Sequence, residues 1–168
     1  MATIVQEPAS VLRAKAQVVP IEKVRSVVIK KIIADMKTAL GGEDDGVAIA
    51  APQIGKSLRI FVVSKKASKQ LTEDITFINP EIIRLGKQKI ETSEGCLSVR
   101  WKYGITKRST TATVRAYNED GNVFVVSGRG LLAQIFQHEV DHLNGILFID
   151  KAKAIQDIPP EAHEHIKK

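Results

Sequence analysis

The chain has 168 residues, of which 43% are hydrophobic and 26% charged, with a formal net charge of +6. These proportions fit one globular domain large enough for a sizeable core and exclude the disordered, collagenous and membrane-spanning classes. A single cysteine, Cys96, excludes an intrachain disulfide.

The longest apolar runs, residues 47–51 and 60–63, are far too short to span a bilayer. The first eight residues show neither the basic start nor the apolar core of a secretory signal. With no disulfide, the expected location is the cytoplasm. The positive charge raises the question of a polyanionic partner such as RNA. The basic residues are dispersed, however, the nearest to clusters being Lys65, Lys66 and Lys69, and residues 102–108. Aromatic residues make up only 5%, which leaves little for base stacking, so sequence-specific nucleic-acid binding is not expected.

In chain order, Val24, Val28, Ile32, Met36 and Leu40 recur every four residues before Gly41-Gly42, which predicts an amphipathic helix with a glycine stop. Glu43, Asp44 and Asp45 form a polar loop, and residues 46–53 are apolar and small. Residues 59–64 and 75–78 read as strands, the second closed by Asn79-Pro80. The β-branched runs 111–117 and 123–127 are joined by a segment containing Asp120-Gly121, a hairpin signal. After Gly128 and Gly130, the residues Leu131, Leu132, Ile135, Phe136, Val140 and Leu143 predict a second helix, which Gly145 stops. Strands in runs and hairpins with helices at the two ends predict an α+β fold. One domain over residues 1–168 is expected, with a tail from about residue 153 that either frays or forms a short terminal helix.

The second helix carries His138-Glu139-Val140-Asp141-His142. Residues four apart share a helix face, so His138 and His142 can bind one metal ion, and Glu139 can act as general base on an activated water. A catalytic metal site usually has three protein ligands. The extended H-E-x-x-H-x-x-G-x-x-H pattern fails here because Phe148 stands at the third-ligand position and cannot ligate. A downstream carboxylate, Glu161 or Glu164, is one remaining candidate, and Cys96 is the other. A thiolate suits zinc or ferrous iron.

The residues around Cys96 carry a resemblance. Gly46-Val47-Ala48-Ile49-Ala50-Ala51-Pro52-Gln53, Glu94-Gly95-Cys96-Leu97-Ser98 and Gln137-His138-Glu139-Val140-Asp141-His142 are similar, in order and spacing, to three motifs of the peptide deformylase family. Ile78-Asn79-Pro80-Glu81 and residues 143–150 also fit, and the likeness covers residues 4–152. It implies hydrolysis of the N-formyl group from the initiator methionine of nascent peptides, releasing formate. It implies antiparallel β-sheets around a central helix that carries the histidines. Cys96, His138 and His142 would hold one divalent metal ion, Fe2+ in most members, with Zn2+, Ni2+ or Co2+ as substitutes. Glu139 would be general base and then general acid, while Gln53 and the Leu97 N–H would stabilise the oxyanion. Val47, Ala48 and Glu94 would contact the N-formylmethionyl peptide. Contact with the ribosome near the nascent-chain exit is left open by the basic surface.

The chemistry is consistent with this reading. Formamide hydrolysis needs an acidified water and a polarised carbonyl, which a metal with an open position supplies. A positioned amide donor to the oxyanion is typically worth about 3 kcal/mol. The chain departs from the family pattern in two places. Ala48 stands where glycine is usual, and Arg100-Trp101 follows Val99 where proline is usual. A negative φ is expected at Ala48, whose methyl would then narrow the cleft, so that its removal would raise efficiency. Three alternatives stay open: a metallopeptidase using Glu161 or Glu164, a non-catalytic peptide-binding relative, and an enzyme acting on a different N-acylated substrate.

Overall fold

The structure, a computed structural model, describes residues 2–160. It is α+β, with all its paired strands antiparallel. Helix α1 (Val27–Gly41) begins where the Ser26 hydroxyl accepts from the Ile29 N–H at 3.3 Å, a side-chain cap for an otherwise unpaired donor. Its buried face is Ile29, Ile32, Ile33, Met36, Ala39 and Leu40, whereas Val28, expected inward, is 66% exposed. A strict repeat of four drifts around a helix of 3.6 residues per turn, so Val28, its first member within α1, rotates out of the interface, while Val24, before the helix, is fully buried.

Strands β1 (Ala48–Ala50), β2 (Ile60–Val63), β3 (Ile75–Leu85), β6 (Thr111–Tyr117) and β7 (Val123–Arg129) form one sheet in that spatial order. Strands β4 (Lys89–Gly95), β5 (Lys102–Ser109) and β8 (Lys153–Asp157) form a second sheet, in the order β4-β5-β8. Helix α2 (Leu131–Leu143) packs against strands of both. The apolar run of β2 is explained by its position. Phe61 and Val63 face the cluster that includes α2, while Ile60 and Val62 face the cluster that includes α1. A strand covered on both faces needs no polar alternation. On the α2 side, Phe61 and Phe77 stack with ring centroids 4.5 Å apart, and Phe136 meets Phe77 edge-on at 5.3 Å.

Four expectations are corrected. First, β3 does not close at Asn79-Pro80 but runs on to Leu85. Asn79 takes a left-handed φ of 49° and the register shifts between Ile78 and Glu81, while its side-chain amide bonds both the N–H and the C=O of Val19 at 2.8 Å. The turn chemistry is used to bulge the strand rather than to end it. Second, β4 and β5 went unrecognised because their polar sequences lack apolar alternation, although they pair along their whole length. Third, residues 153–157, expected to begin a frayed tail or terminal helix, pair with β5 as β8, tied further by Lys153 to Glu91 and by Lys102 to Asp157. Fourth, of the basic group at residues 102–108, Lys102 is committed to that ion pair and Arg108 is buried at 4% exposure.

The ends of α2 are held firmly. Gly130, before its first turn, has φ 57° and ψ −126°, a region that L side chains avoid. At the far end Gly145 has φ 74°, and a Cβ there would lie 2.4 Å from the Arg13 carbonyl oxygen. The Arg59 guanidinium donates to the Leu143 carbonyl and to Asn144 Oδ1, each at 3.0 Å, satisfying the helix C-terminus.

Candidate metal centre and active cleft

Helix α2 presents His138 and His142 one turn apart, with ring centroids separated by 4.9 Å. Cys96 follows directly on β4, and its Sγ lies 3.2 Å from His142 Nε2. One ligand atom from each of Cys96, His138 and His142 can be chosen so that all three lie within 4.8 Å of one another, the only such cluster among the described residues. Glu161 and Glu164, the alternative third ligands, lie outside the described residues. Phe148, which stands at the third-ligand position of the extended motif, packs instead against His138 with centroids 6.5 Å apart.

The donor set fits a divalent transition metal. Two imidazoles and one thiol are the soft and borderline ligands that zinc and ferrous iron take, with fewer protein ligands than a closed structural site. His138 Nδ1 is engaged by Glu94 Oε1 at 2.6 Å, which leaves Nε2 as its ligand atom. Glu139, 3% exposed, has a buried carboxylate oxygen, Oε2, with no hydrogen-bond partner. A bare buried carboxylate oxygen beside a ligand cluster is costly unless something polar visits it.

Glu94 was expected among the substrate contacts. It lines the cleft but is 6% exposed, and both of its oxygens are engaged within the protein. Oε1 meets His138 Nδ1 and Arg108 Nη2, each at 2.6 Å, while Oε2 accepts from Thr106 Oγ1 at 2.7 Å and Arg108 Nε at 3.0 Å. A carboxylate this deep survives only with such donors, and its bond to Nδ1 fixes the orientation of the His138 ring. Arg108 also donates to Asp141 at 2.6 Å, and Lys151 closes the chain on Asp141 at 2.8 Å. Gln137, one residue before His138, bonds the Ser109 backbone in both directions at 3.0 Å and so pins α2 to the end of β5. Within the Q-H-E-x-D-H motif, Gln137 and Asp141 are thus the anchoring pair, spaced like the two histidines. Gln137, Asp141, Arg108 and Thr106 were not singled out from the sequence. For Gln137 and Asp141 the available signal was their place in the matched motif; for Thr106 and Arg108, in β5, the sequence offered none.

Charge follows from this packing. Burial acts to raise the Glu94 carboxyl, but its bonds to His138 and Arg108 outweigh it and hold the group well below the usual carboxylate range. Burial pushes the Glu139 carboxyl up to about 7, against the nearby charge of His138. Burial and the His138 charge both lower His142 well below the usual imidazole value. For His138, burial acts downward, yet its contacts with Cys96 and Glu94 prevail and raise it well above that value.

The cluster opens into a cleft of about 640 Å³, whose lining includes Val47, Ala48, Gln53, Leu97, His138 and Glu139. Gln53, 1% exposed, sits in the one-turn segment Ala51–Ile54. Its Oε1 accepts from the Ala50 N–H at 2.8 Å, which fixes the amide so that Nε2 faces Ser98 Oγ at 3.2 Å and Cys96 Sγ at 3.6 Å. Leu97 is held from the other side, its carbonyl accepting from Gln6 Nε2 at 2.8 Å. Ala48 lies in β1 and is absent from the residues of positive φ, in line with the expected unstrained backbone. It is only 7% exposed and belongs to the core cluster with Phe61 and Val63, so its methyl is accommodated mainly by the core.

Comparison with known proteins agrees with this geometry. The polypeptide deformylase family model matches residues 1–157. A peptide deformylase of Halothermothrix orenii is 44% identical over 146 residues, covering 86% of this chain and 89% of the relative. A crystal structure of a peptide deformylase from Legionella pneumophila superposes with a TM-score of 0.83 at 35% identity, covering 100% of this chain and 92% of that one. A Met-Ala-Ser-bound class I type b peptide deformylase from Acinetobacter baumannii gives a TM-score of 0.82 at 29% identity, over 90% of this chain and 99% of that one. The chain therefore belongs to the peptide deformylase family, metal-dependent hydrolases that remove the N-formyl group from nascent peptides.

Proposed function

We propose that this enzyme acts on N-formylmethionyl peptides with Cys96, His138 and His142 holding one ferrous ion, for which zinc, nickel or cobalt can substitute. The observation that carries the reading is the convergence of those three ligands beside the unpartnered Glu139 Oε2 at the base of an open cleft. When bound, the ion supplies a Lewis acid that polarises the formyl carbonyl and acidifies water. Glu139 Oε2 accepts a proton from the attacking water and delivers it to the departing amino nitrogen. The Gln53 Nε2–H and the Leu97 N–H donate to the oxygen that gains charge in the transition state. Gln53 is suited to this because its Oε1 is anchored on the Ala50 N–H, which holds the amide plane while Nε2 exchanges its long 3.6 Å contact with Cys96 Sγ for the oxyanion. Strand β1 is the edge of its sheet and lies on the cleft wall, where an extended peptide can add as a further strand beside Val47 and Ala48. The Met-Ala-Ser bound to the Acinetobacter enzyme supports a methionyl peptide as occupant. No described helix is long and apolar enough to cross a membrane. The proposed setting is the cytoplasm, where a net charge of +6 favours weak attraction to the ribosome near the nascent-chain exit.

The test is formate release from formyl-Met-Ala-Ser under anaerobic conditions, with and without a chelator. Release that stops on chelation and returns with Fe2+ supports the proposal. No release from metal-replete protein, or release indifferent to the chelator, refutes it. Because the Ala48 methyl is largely absorbed by the core, Ala48→Gly is expected to change kcat/KM on this peptide by less than about tenfold, short of the roughly 10²-fold that a 1 Å displacement of substrate costs. A larger gain would show that the methyl displaces the peptide.

A further inference from the structure

Arg100 is the only lysine or arginine among the described residues that line the cleft. Its guanidinium does not point free into that space. Nη1 donates to Asp45 Oδ2 at 2.7 Å, while Nη2 donates to Glu43 Oε2 at 2.7 Å and to Asp45 Oδ1 at 3.0 Å. Its central carbon lies 4.5 Å from the centre of the Trp101 ring, and its side chain is 17% exposed. The Arg100 N–H donates to Gln6 Oε1 at 3.3 Å, the same side chain whose amide nitrogen holds the Leu97 carbonyl. The guanidinium thus bridges two separate parts of the rim. One is the acidic loop between α1 and β1. The other is the segment after Cys96. Within the loop the Glu43 N–H donates to the Leu40 carbonyl and the Gly46 N–H to the Glu43 carbonyl.

We propose that Arg100 is a positioning residue that clamps the loop of residues 43–45 against the rim of the cleft, so that the wall met by the substrate peptide is formed before the peptide arrives. This rests on the deformylase reading of the cleft and adds the element that sets its width. A preformed wall lowers the ordering cost of binding and leaves the chemical step alone, so the clamp acts on KM. The planar fork explains why arginine serves: it engages two carboxylates and stacks on an indole at the same time, which an ammonium cannot do. The competing job for a lone cation in a peptide cleft is to bind the peptide's own carboxylate.

The experiment measures kcat and KM on formyl-Met-Ala-Ser and on its C-terminal amide, for wild type, Arg100→Ala, Asp45→Asn and the double variant, all metal-replete. Arg100→Ala is expected to raise KM about tenfold and equally for both peptides, with kcat within about twofold, as loss of a preformed wall requires. The double variant should lose less than the sum of the two single changes, because the Arg100–Asp45 contact is common to both. A loss confined to the free-carboxylate peptide, a fall in kcat at unchanged KM, or additive losses would each overturn the clamp. Hydrogen exchange of residues 42–46 reads the clamp without turnover, and it should quicken in Arg100→Ala. If wild type releases no formate while exchange still quickens, the substrate assignment fails and the clamp stands. Unchanged exchange overturns the clamp.

Discussion

Glu139→Gln is expected to bind its metal normally and to lose about 10²-fold or more in kcat. The substitution keeps the size of a side chain that is 3% exposed, so packing around α2 is preserved. On the proposed mechanism it removes the group that takes a proton from water and gives it to nitrogen. Oε2 is buried and unpartnered, a cost that a structural residue would have relieved with a donor. Burial has also raised the carboxyl to about 7, which matches a group that must both accept and release a proton near neutrality. The measurement is turnover on formyl-Met-Ala-Ser alongside metal content by elemental analysis. Near-normal kcat in a fully metallated variant would remove Glu139 from the chemistry. Loss of metal together with activity would recast it as a structural support of the centre.

Cys96→Ser is expected to lower metal affinity by more than the roughly 10–100-fold that follows loss of a partner one shell further out. The hydroxyl is harder, less acidic and shorter-reaching than the thiol it replaces, and it is a poor ligand for ferrous iron or zinc. The loop itself should survive, because its turn is closed by the Val99 N–H on the Cys96 carbonyl at 3.1 Å, a backbone bond. Two donors already face the sulfur, the Ser98 N–H at 3.4 Å and Gln53 Nε2 at 3.6 Å, and they fix its position. Chelator titration of the two proteins gives the comparison, with circular dichroism as the check on folding. Equal metal retention in both would show that the ion is held without Cys96, and the centre would then need another third ligand.

Much of the molecule was legible because some features are decided locally. The pairing of His138 with His142 depends only on helix periodicity, and the helix itself was visible in Leu132, Ile135 and Phe136 and in the glycines that bound it. The β6–β7 hairpin was visible because β-branched runs flank Asp120-Gly121, and Gly121 has the positive φ, 83°, that such a turn uses. The order and spacing of the three motifs carried the family and, through it, Cys96. What the sequence left open depends on partners distant in the chain. Strands β4, β5 and β8 are too polar to announce themselves, and β8 is exposed throughout, so only their pairing makes them strands. Glu94 read equally well as a substrate contact until burial beside Arg108 and Thr106 assigned both its oxygens. Val28 read as core until the contact surface of α1 turned it outward. Arg100 read as a departure of unknown consequence until Glu43 and Asp45, in the loop before β1, met it. Helical spacing is set by the few bonds between neighbouring residues, so a sequence alone determines it. The role of a buried charge is set by which donors the folded chain brings within about 3 Å, and that is decided only when the sheets and α2 close around it.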